Sequence, residues 1–376
     1  MAKKKKIRTE FRKEHQGRRR QKDLTRGLAR ERLTEDDLVK SERVSGKGDL
    51  TRKRTIVGQE SADQSGTFLV QRDVDAASTL HGRVLAVHGL SSVVLTDDGR
   101  TFQCATRRLL KNMSTDQRHV VAAGDVVYFR PESATTGLIE RIEPRTSVLS
   151  RTSKGRQHVL VTNVDQLVIV ASAAEPHLKP NLIDRFLVEA ERVRIEPIIC
   201  INKIDLVEPA DLMPLAGVYG QMGYQVLLMS AATGQGVVHL RRLVQGKETV
   251  VAGQSGVGKS SLLNAIEPQL ALRVSEVSQE NQKGKHTTTV ARLIPLAMGG
   301  YVVDTPGIRQ FQLWDVITEE VAGYYRDLRP YASRCRFPNC THTHESHCAV
   351  KDAVADGRLD ARRYESYCHL RDGDVE

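Results

Sequence analysis

The sequence predicts an α/β fold in three parts: a small closed β-barrel, a parallel sheet covered by helices on both faces, and a short helical module rich in cysteine and histidine. Three observations carry that reading. Residues 80–147 break into short strand-like runs separated by Gly, Asp and Pro. Residues 158–316 alternate strand-like with helical runs, the pattern of a parallel sheet. Residues 335–348 hold three of the six cysteines beside several histidines. The expected division is 1–75, 76–150, 151–316 and 317–376.

The first segment is polar and charged. Its opening 22 residues carry eleven Lys/Arg against two Glu, so nearly all of the net charge of +10 sits there. With few apolar residues it has no core to bury, and it is expected to be a disordered arm with at most one short helix around 27–40. Lysine and arginine at this density suit a nucleic-acid backbone, whose counterions they displace. A solubilising tail or a nuclear-import signal has the same composition. No apolar run approaches the roughly 18 residues of a membrane span, and none follows the basic N-terminus as in a secretory signal. The expected location is the cytosol.

In the second segment "HGRVLAVHG", "SSVVLTDDGRTFQCAT", "GDVVYFRP" and "GLIERIEPR" read as about five strands, with a hairpin turn at "DDG" (97–99). An OB-fold barrel, a nucleic-acid binder, fits this pattern, and so does an SH3-like or other small barrel. Cys104 and Cys200 lie in apolar runs and read as inert core thiols.

The third segment carries the motifs. "QLVIVAS" (166–172), "EPIICINK" (196–203), "YQVLLMSA" (224–231), "TVVAG" and "GGYVVDTPG" (299–307) are strands, with helices at 182–193, near 209–222 and at "VVHLRRLV". Ligands on such sheets bind beyond the carboxyl ends of the strands, where every motif falls. "GQSGVGKSS", Gly253, Gln254, Ser255, Gly256, Val257, Gly258, Lys259, Ser260 and Ser261, contains the phosphate-loop pattern G-x-x-x-x-G-K-S. The glycines let backbone N–H groups cradle phosphates, Lys259 reaches the β- and γ-phosphates, and the Ser260 hydroxyl takes Mg²⁺. "DTPG" closes a strand, with Asp304 in the magnesium shell and the Gly307 N–H on the γ-phosphate. "NKID", Asn202, Lys203, Ile204 and Asp205, places a carboxylate where it accepts from both N1–H and the exocyclic amine of guanine, selecting GTP over ATP. "SAATG" supplies Ser230 and the Ala231 N–H for guanine O6. Thr287, Thr288 and Thr289 are equal candidates to complete the magnesium shell.

These motifs run base loop, second base loop, phosphate loop, threonines, "DTPG". A conventional GTPase starts with the phosphate loop. The order is that of a circularly permuted P-loop GTPase domain, which folding tolerates because strand ends converge in space whatever their order in the chain. The permutation also makes "DTPG" lead straight into the Cys/His segment, where nucleotide state is expected to be read. Ile308 follows "DTPG" where many GTPases have a water-orienting glutamine, so unaided hydrolysis is expected to be slow. His286 is the nearest substitute to orient the water, or else a solvated loop histidine.

In "CRFPNCTHTHESHC" the residues Cys335, Cys340, His342 and Cys348 have the spacing C-x4-C-x-H-x5-C, which suits a closed tetrahedral zinc site, with His344 and His347 as rival ligands. The region after 317 reads as helical.

The permuted motif order, the preceding barrel and this Cys/His spacing together resemble the RsgA/YjeQ family of small ribosomal subunit biogenesis GTPases. The resemblance covers residue 80 to the end and rests on "NKID", "GQSGVGKSS", "GKHTTT", "DTPGI" and the cysteine spacing. It implies an OB-fold barrel, one structural zinc, GTP with Mg²⁺ and a cytoplasmic, monomeric protein. It further implies binding to the 30S subunit and its 16S ribosomal RNA late in maturation, with GTP hydrolysis stimulated by the ribosome and His286 as the catalytic histidine. The arm of residues 1–75 departs from the family, many of whose members begin close to their barrel. Two other readings are an RNA-binding scaffold that holds nucleotide without turnover and a permuted GTPase of the large subunit.

Overall fold

The computed structural model describes residues 5–10, 53–62, 68–72, 78–106, 121–153, 156–272, 291–304 and 318–373. The predicted helix at 27–40, His286, the three candidate threonines, Gly307 and Ile308 lie outside the described residues.

Within the N-terminal segment Lys5–Glu10 (β1), Lys53–Ala62 (β2) and Phe68–Arg72 (β3) pair as an antiparallel sheet in the order β1-β2-β3. The sequence reading expects no regular structure here. Averaged over 75 residues the charge hides two local runs, "RTIV" and "FLV", whose β-branched and aromatic side chains favour strands.

Leu80–His88 (β4), Ser91–Thr96 (β5), Thr101–Thr106 (β6), Val126–Pro131 (β7) and Thr136–Ile142 (β8) close into a five-stranded barrel in the order β4-β5-β6-β8-β7-β4. β6 and β8 run parallel and the remaining pairs antiparallel. Alternate residues point inward, so Val84, Val94, Phe102, Cys104, Val127, Phe129 and Ile139 form the barrel's own core. This is the expected OB-like barrel, with the "DDG" turn joining β5 to β6. A hairpin, Val148–Ser153 (β9) with Arg156–Thr162 (β10), follows it and has no counterpart in the sequence reading.

The next domain alternates Gln166–Ser172 (β11), Pro180–Val193 (α1), Glu196–Asn202 (β12), Met213–Gln221 (α2), Gln225–Leu228 (β13), Val237–Val244 (α3), Glu248–Ala252 (β14) and Lys259–Ile266 (α4), then ends with Arg292–Pro295 (β15) and Tyr301–Asp304 (β16). The sheet order is β13-β12-β11-β14-β16-β15, parallel except for β15. β11 is buried along its whole length, as a central strand covered on both faces must be. Its odd residues Leu167 and Ile169 pack with Ile183, Phe186 and Leu187 of α1. Its even residues Val168 and Val170 meet Leu240 of α3 and Leu262 of α4 on the opposite face. β15 escapes the sequence reading because four residues with a terminal proline leave little pattern.

Barrel and domain share an edge. β15 pairs with β4 at Arg292 and Ala86, and Arg83 of β4 makes an ion pair with the buried Glu248 at the start of β14. Burial pushes the Glu248 carboxyl up to about 7 against the opposing pull of Arg83.

The C-terminal region is helical: Val321–Tyr324 (α5), Arg329–Ala332 (α6), Ala349–Ala355 (α7) and Ala361–Asp372 (α8). The region expected to be helical after 317 begins with two short helices, α5 and α6, the second with Pro330 in its first turn, where the ring is tolerated. Asp360 caps α8 by accepting from the N–H groups of Arg362 and Arg363. Tyr325, Leu328 and Tyr367 bury themselves with Val188, so this region packs against α1.

Candidate nucleotide site and Cys/His centre

Five strands run in one direction, so Ser172, Asn202, Leu228, Ala252 and Asp304 end at one edge of the sheet. The segments that follow the last four are those the sequence singles out. Asn202 joins three of them. It is 1% exposed; its Nδ2 donates to the Val257 carbonyl of the phosphate loop (2.9 Å), and its Oδ1 accepts from the Ala231 N–H of the second base loop (3.1 Å). Residues 202, 231 and 257 therefore meet despite their shuffled order. Asp304 ends β16 beside β14, the strand that feeds the phosphate loop.

The phosphate loop leaves β14 through Gly253, at φ +145°, where a Cβ would lie 2.1 Å from the Val170 carbonyl oxygen of β11. At Gly258, φ +92°, a Cβ would lie 2.4 Å from the Asn202 amide nitrogen. Both positions require glycine, one for closeness to the central strand and the other to admit the tether. Val257 turns its side chain into the core and offers its carbonyl to Asn202. The Lys259 amine lies inside the loop, donating to the carbonyls of Gly253 (2.8 Å) and Gln254 (2.6 Å). Ser260 and Ser261 are half-buried in the first turn of α4, and Ser255 is exposed at the loop tip.

The base-side loop is held as firmly. Lys203 takes φ +64° and its amine donates to the Glu175 carbonyl (2.5 Å), while the Ala173 N–H donates to the Asn202 carbonyl (2.8 Å). Ile204 buries its side chain in the core and so pins the turn that leaves Asp205 exposed to a ligand. The buried Ser230 accepts from the Thr233 N–H (3.1 Å), shaping the "SAATG" turn. The loop 173–179 is the part that the sequence reading missed. It supplies only backbone to these contacts, and backbone carries no motif.

A second constellation lies in the C-terminal region. The ligand atoms of Cys335, Cys340, His342 and Cys348 all lie within 4.8 Å of one another. Cys335 Sγ is 3.8 Å from Cys348 Sγ and 3.4 Å from His342 Nδ1, and Cys348 Sγ is 3.5 Å from the same nitrogen. A tetrahedral zinc with arms of about 2.3 Å to sulfur and about 2.0 Å to nitrogen has edges of about 3.8 Å between sulfurs and about 3.5 Å from sulfur to nitrogen. The donor set fits. Burial favours the neutral thiol and pushes Cys340 up to about 12, so it is a cation at the centre of the group that would make it a thiolate. His344 faces solvent beside Glu345 and stands outside this group. The loop is fastened to α8 by Tyr364 and Tyr367, whose hydroxyls donate to the carbonyls of His342 and Thr341, each at 2.7 Å.

Known proteins resemble this chain in sequence and fold. A family profile described as RsgA GTPase matches residues 142–314. The chain is 40% identical over 306 residues to the small ribosomal subunit biogenesis GTPase RsgA of Chlorobaculum parvum, covering 78% of this chain and 98% of that protein. It is 38% identical over 339 residues to the RsgA of Sodalis glossinidius, covering 86% and 97%. The solved structure of YjeQ from Thermotoga maritima superposes with a TM-score of 0.64 at 33% identity, covering 78% of this chain and 97% of that one. That of YloQ, described as a circularly permuted GTPase, superposes with a TM-score of 0.62 at 33% identity, covering 80% and 96%. With strand-end loops that converge in permuted order and relatives matched over nearly their whole length, the chain belongs to the RsgA family of small ribosomal subunit biogenesis GTPases.

Proposed function

We propose that the protein binds GTP with Mg²⁺ at the shared strand edge, hydrolyses it slowly when alone, and is accelerated by the small ribosomal subunit during late maturation. In this reading Asp205 and the Ala231 N–H read guanine, with Lys203 along the base. Residues 253–261 hold the phosphates, and Ser260, Asp304 and one of Thr287, Thr288 and Thr289 surround the metal. Gly307 senses the γ-phosphate, and His286 orients the attacking water in place of glutamine. The observation that carries the reading is the bridge from Asn202 to both Ala231 and Val257, which joins the base side and the phosphate side of one pocket.

The Cys/His group would hold one zinc, which supplies a positive centre that converts the thiols to thiolates and locks the loop. The barrel and the basic arm suit 16S ribosomal RNA, one as a groove and the other as phosphate-binding charge. In this reading the protein works on ribosomal subunits in the cytoplasm as a monomer; among the described residues no helix is long and apolar enough to cross a membrane.

The test is GTP turnover with and without purified 30S subunits, for wild type and His286→Ala. Strong acceleration by 30S in the wild type, reduced by at least about 100-fold in the variant, is the expected result. No acceleration in the wild type would remove the assembly-factor reading. Acceleration by 50S subunits alone would move the protein to the other subunit.

A further inference from the structure

The C-terminal region is joined to the GTPase domain through buried charge. Arg363 of α8 makes an ion pair with Asp184 of α1 and a two-pronged contact with Asp327, both at 3.0 Å, and its guanidinium stacks over the Tyr325 ring at 4.3 Å. The side chains of Arg363 and Asp184 are 4% and 1% exposed. Asp184 also accepts from the Tyr219 hydroxyl (2.8 Å), which reaches the Pro180 carbonyl in the first turn of α1 (3.3 Å). A second arginine fastens the same region further along. Arg326 binds Glu191 of α1 (2.5 Å) and lies over the Tyr224 ring at 4.1 Å, just before β13.

What the same end of α1 touches on its other side gives these contacts a meaning beyond docking. Leu182, Ile183 and Phe186, which flank Asp184 in sequence, line a small cavity together with Gln254 and Val257 of the phosphate loop. His177 and Lys179, just before α1, line the same cavity. The loop that enters α1 takes the Lys203 amine on its Glu175 carbonyl. One helix therefore holds Arg363 on one face, backs the phosphate loop with another, and is entered by the loop that anchors the base-side lysine. Side chains packed this tightly transmit a small displacement of a helix to their neighbours.

We propose that Arg363 is a positioning residue for the nucleotide site: through Asp184 it sets the position of α1, so the Cys/His region tunes guanine-nucleotide affinity through that helix. The idea rests on the nucleotide-binding reading above. It places the link between the two regions in α1, apart from the chain connection after "DTPG".

The test is the affinity of the full-length protein for a fluorescent GDP, measured well below the melting temperature of each variant. Asp184→Asn keeps the shape and the Tyr219 contact and weakens the ion pair. Arg363→Lys keeps the charge and loses the two-pronged geometry. Tyr219→Phe is the mildest change, and it stands in for either of the others if that variant does not fold. The expected result is a loss of affinity of about fivefold or more in each of Asp184→Asn and Arg363→Lys, the lower end of ordinary coupling between sites. In the double variant Asp184→Asn/Arg363→Lys the losses should not add, because both act on one contact. Lower melting temperatures with GDP affinity inside twofold of wild type would make the contact purely structural and overturn the proposal. The wild-type titration keeps the two readings apart: a wild type that binds no GDP defeats the nucleotide reading itself, whereas wild-type binding unchanged in the variants defeats only the coupling.

Discussion

Asn202 holds the base loop and the phosphate loop together because a carboxamide has a donor end and an acceptor end, and here each end has one partner. These two contacts are what this residue of "NKID" contributes. Asp205, three positions on, is left exposed at the rim, where a carboxylate is free to meet a ligand. Asp205→Asn is expected to lower affinity for guanine nucleotides by roughly 100-fold, about 3 kcal/mol, through loss of a paired, charge-assisted contact. It should favour xanthine nucleotides, which present a carbonyl where guanine has its amine. Competition of GDP, ADP and XDP against a fluorescent GDP measures this, and an unchanged order of preference would remove Asp205 as the base reader.

At the scale of elements, the Cys/His loop and α8 stabilise one another. The loop has few apolar residues of its own, and its fold rests on the four-residue donor group, on Glu345, which accepts from the Thr341 N–H, and on the two tyrosines of α8. Elemental analysis of the purified chain is expected to find one zinc. In Cys340→Ser the zinc affinity should fall by more than about 100-fold, beyond the loss typical of outer-shell changes. The circular dichroism of the packed tyrosines around α8 should weaken with it. A chain that holds no zinc, or a variant that keeps it, would remove the metal reading. The sequence spacing left three histidines in contention. Only folding separates them, burying His342 at 4% exposure with its ring against two sulfurs while His344 faces out.

At the scale of the molecule, the barrel and the GTPase domain are joined around Arg83, Glu248 and the β4–β15 pairing. Glu248 begins the strand that ends at the phosphate loop, so the junction and the site share one element. Its carboxyl, at 4.5 in its ordinary state, is raised to about 7 by burial. The folded protein therefore keeps a proton that the unfolded chain loses as pH rises above about 4.5, and stability falls from there to about pH 7 and levels off. The loss is at most about 3 kcal/mol. Urea unfolding of wild type and Glu248→Gln from pH 5 to 8 checks this. The difference between the two curves should fall with rising pH, and a difference that stays flat would show that Glu248 ionises freely in the folded state.

Motifs that act through residue type at fixed spacing were legible from the chain alone: the phosphate loop, "NKID", "SAATG", "DTPG", the C-x4-C-x-H-x5-C spacing, and the alternation that marks β11 as a buried strand and α1 as a helix. Their order was enough to infer the permutation. What the sequence by itself determined is therefore which residue types stand at each strand end and the kind of sheet that carries them. Tertiary structure alone decided which groups meet across long stretches of chain: Asn202 with Val257, Lys203 with the Glu175 carbonyl, and Asp184 with Arg363. These contacts depend on backbone carbonyls, or on single charged residues 28 to 179 positions apart. Neither leaves a local pattern, since every residue has a carbonyl and a lone arginine looks the same on a surface as in a core.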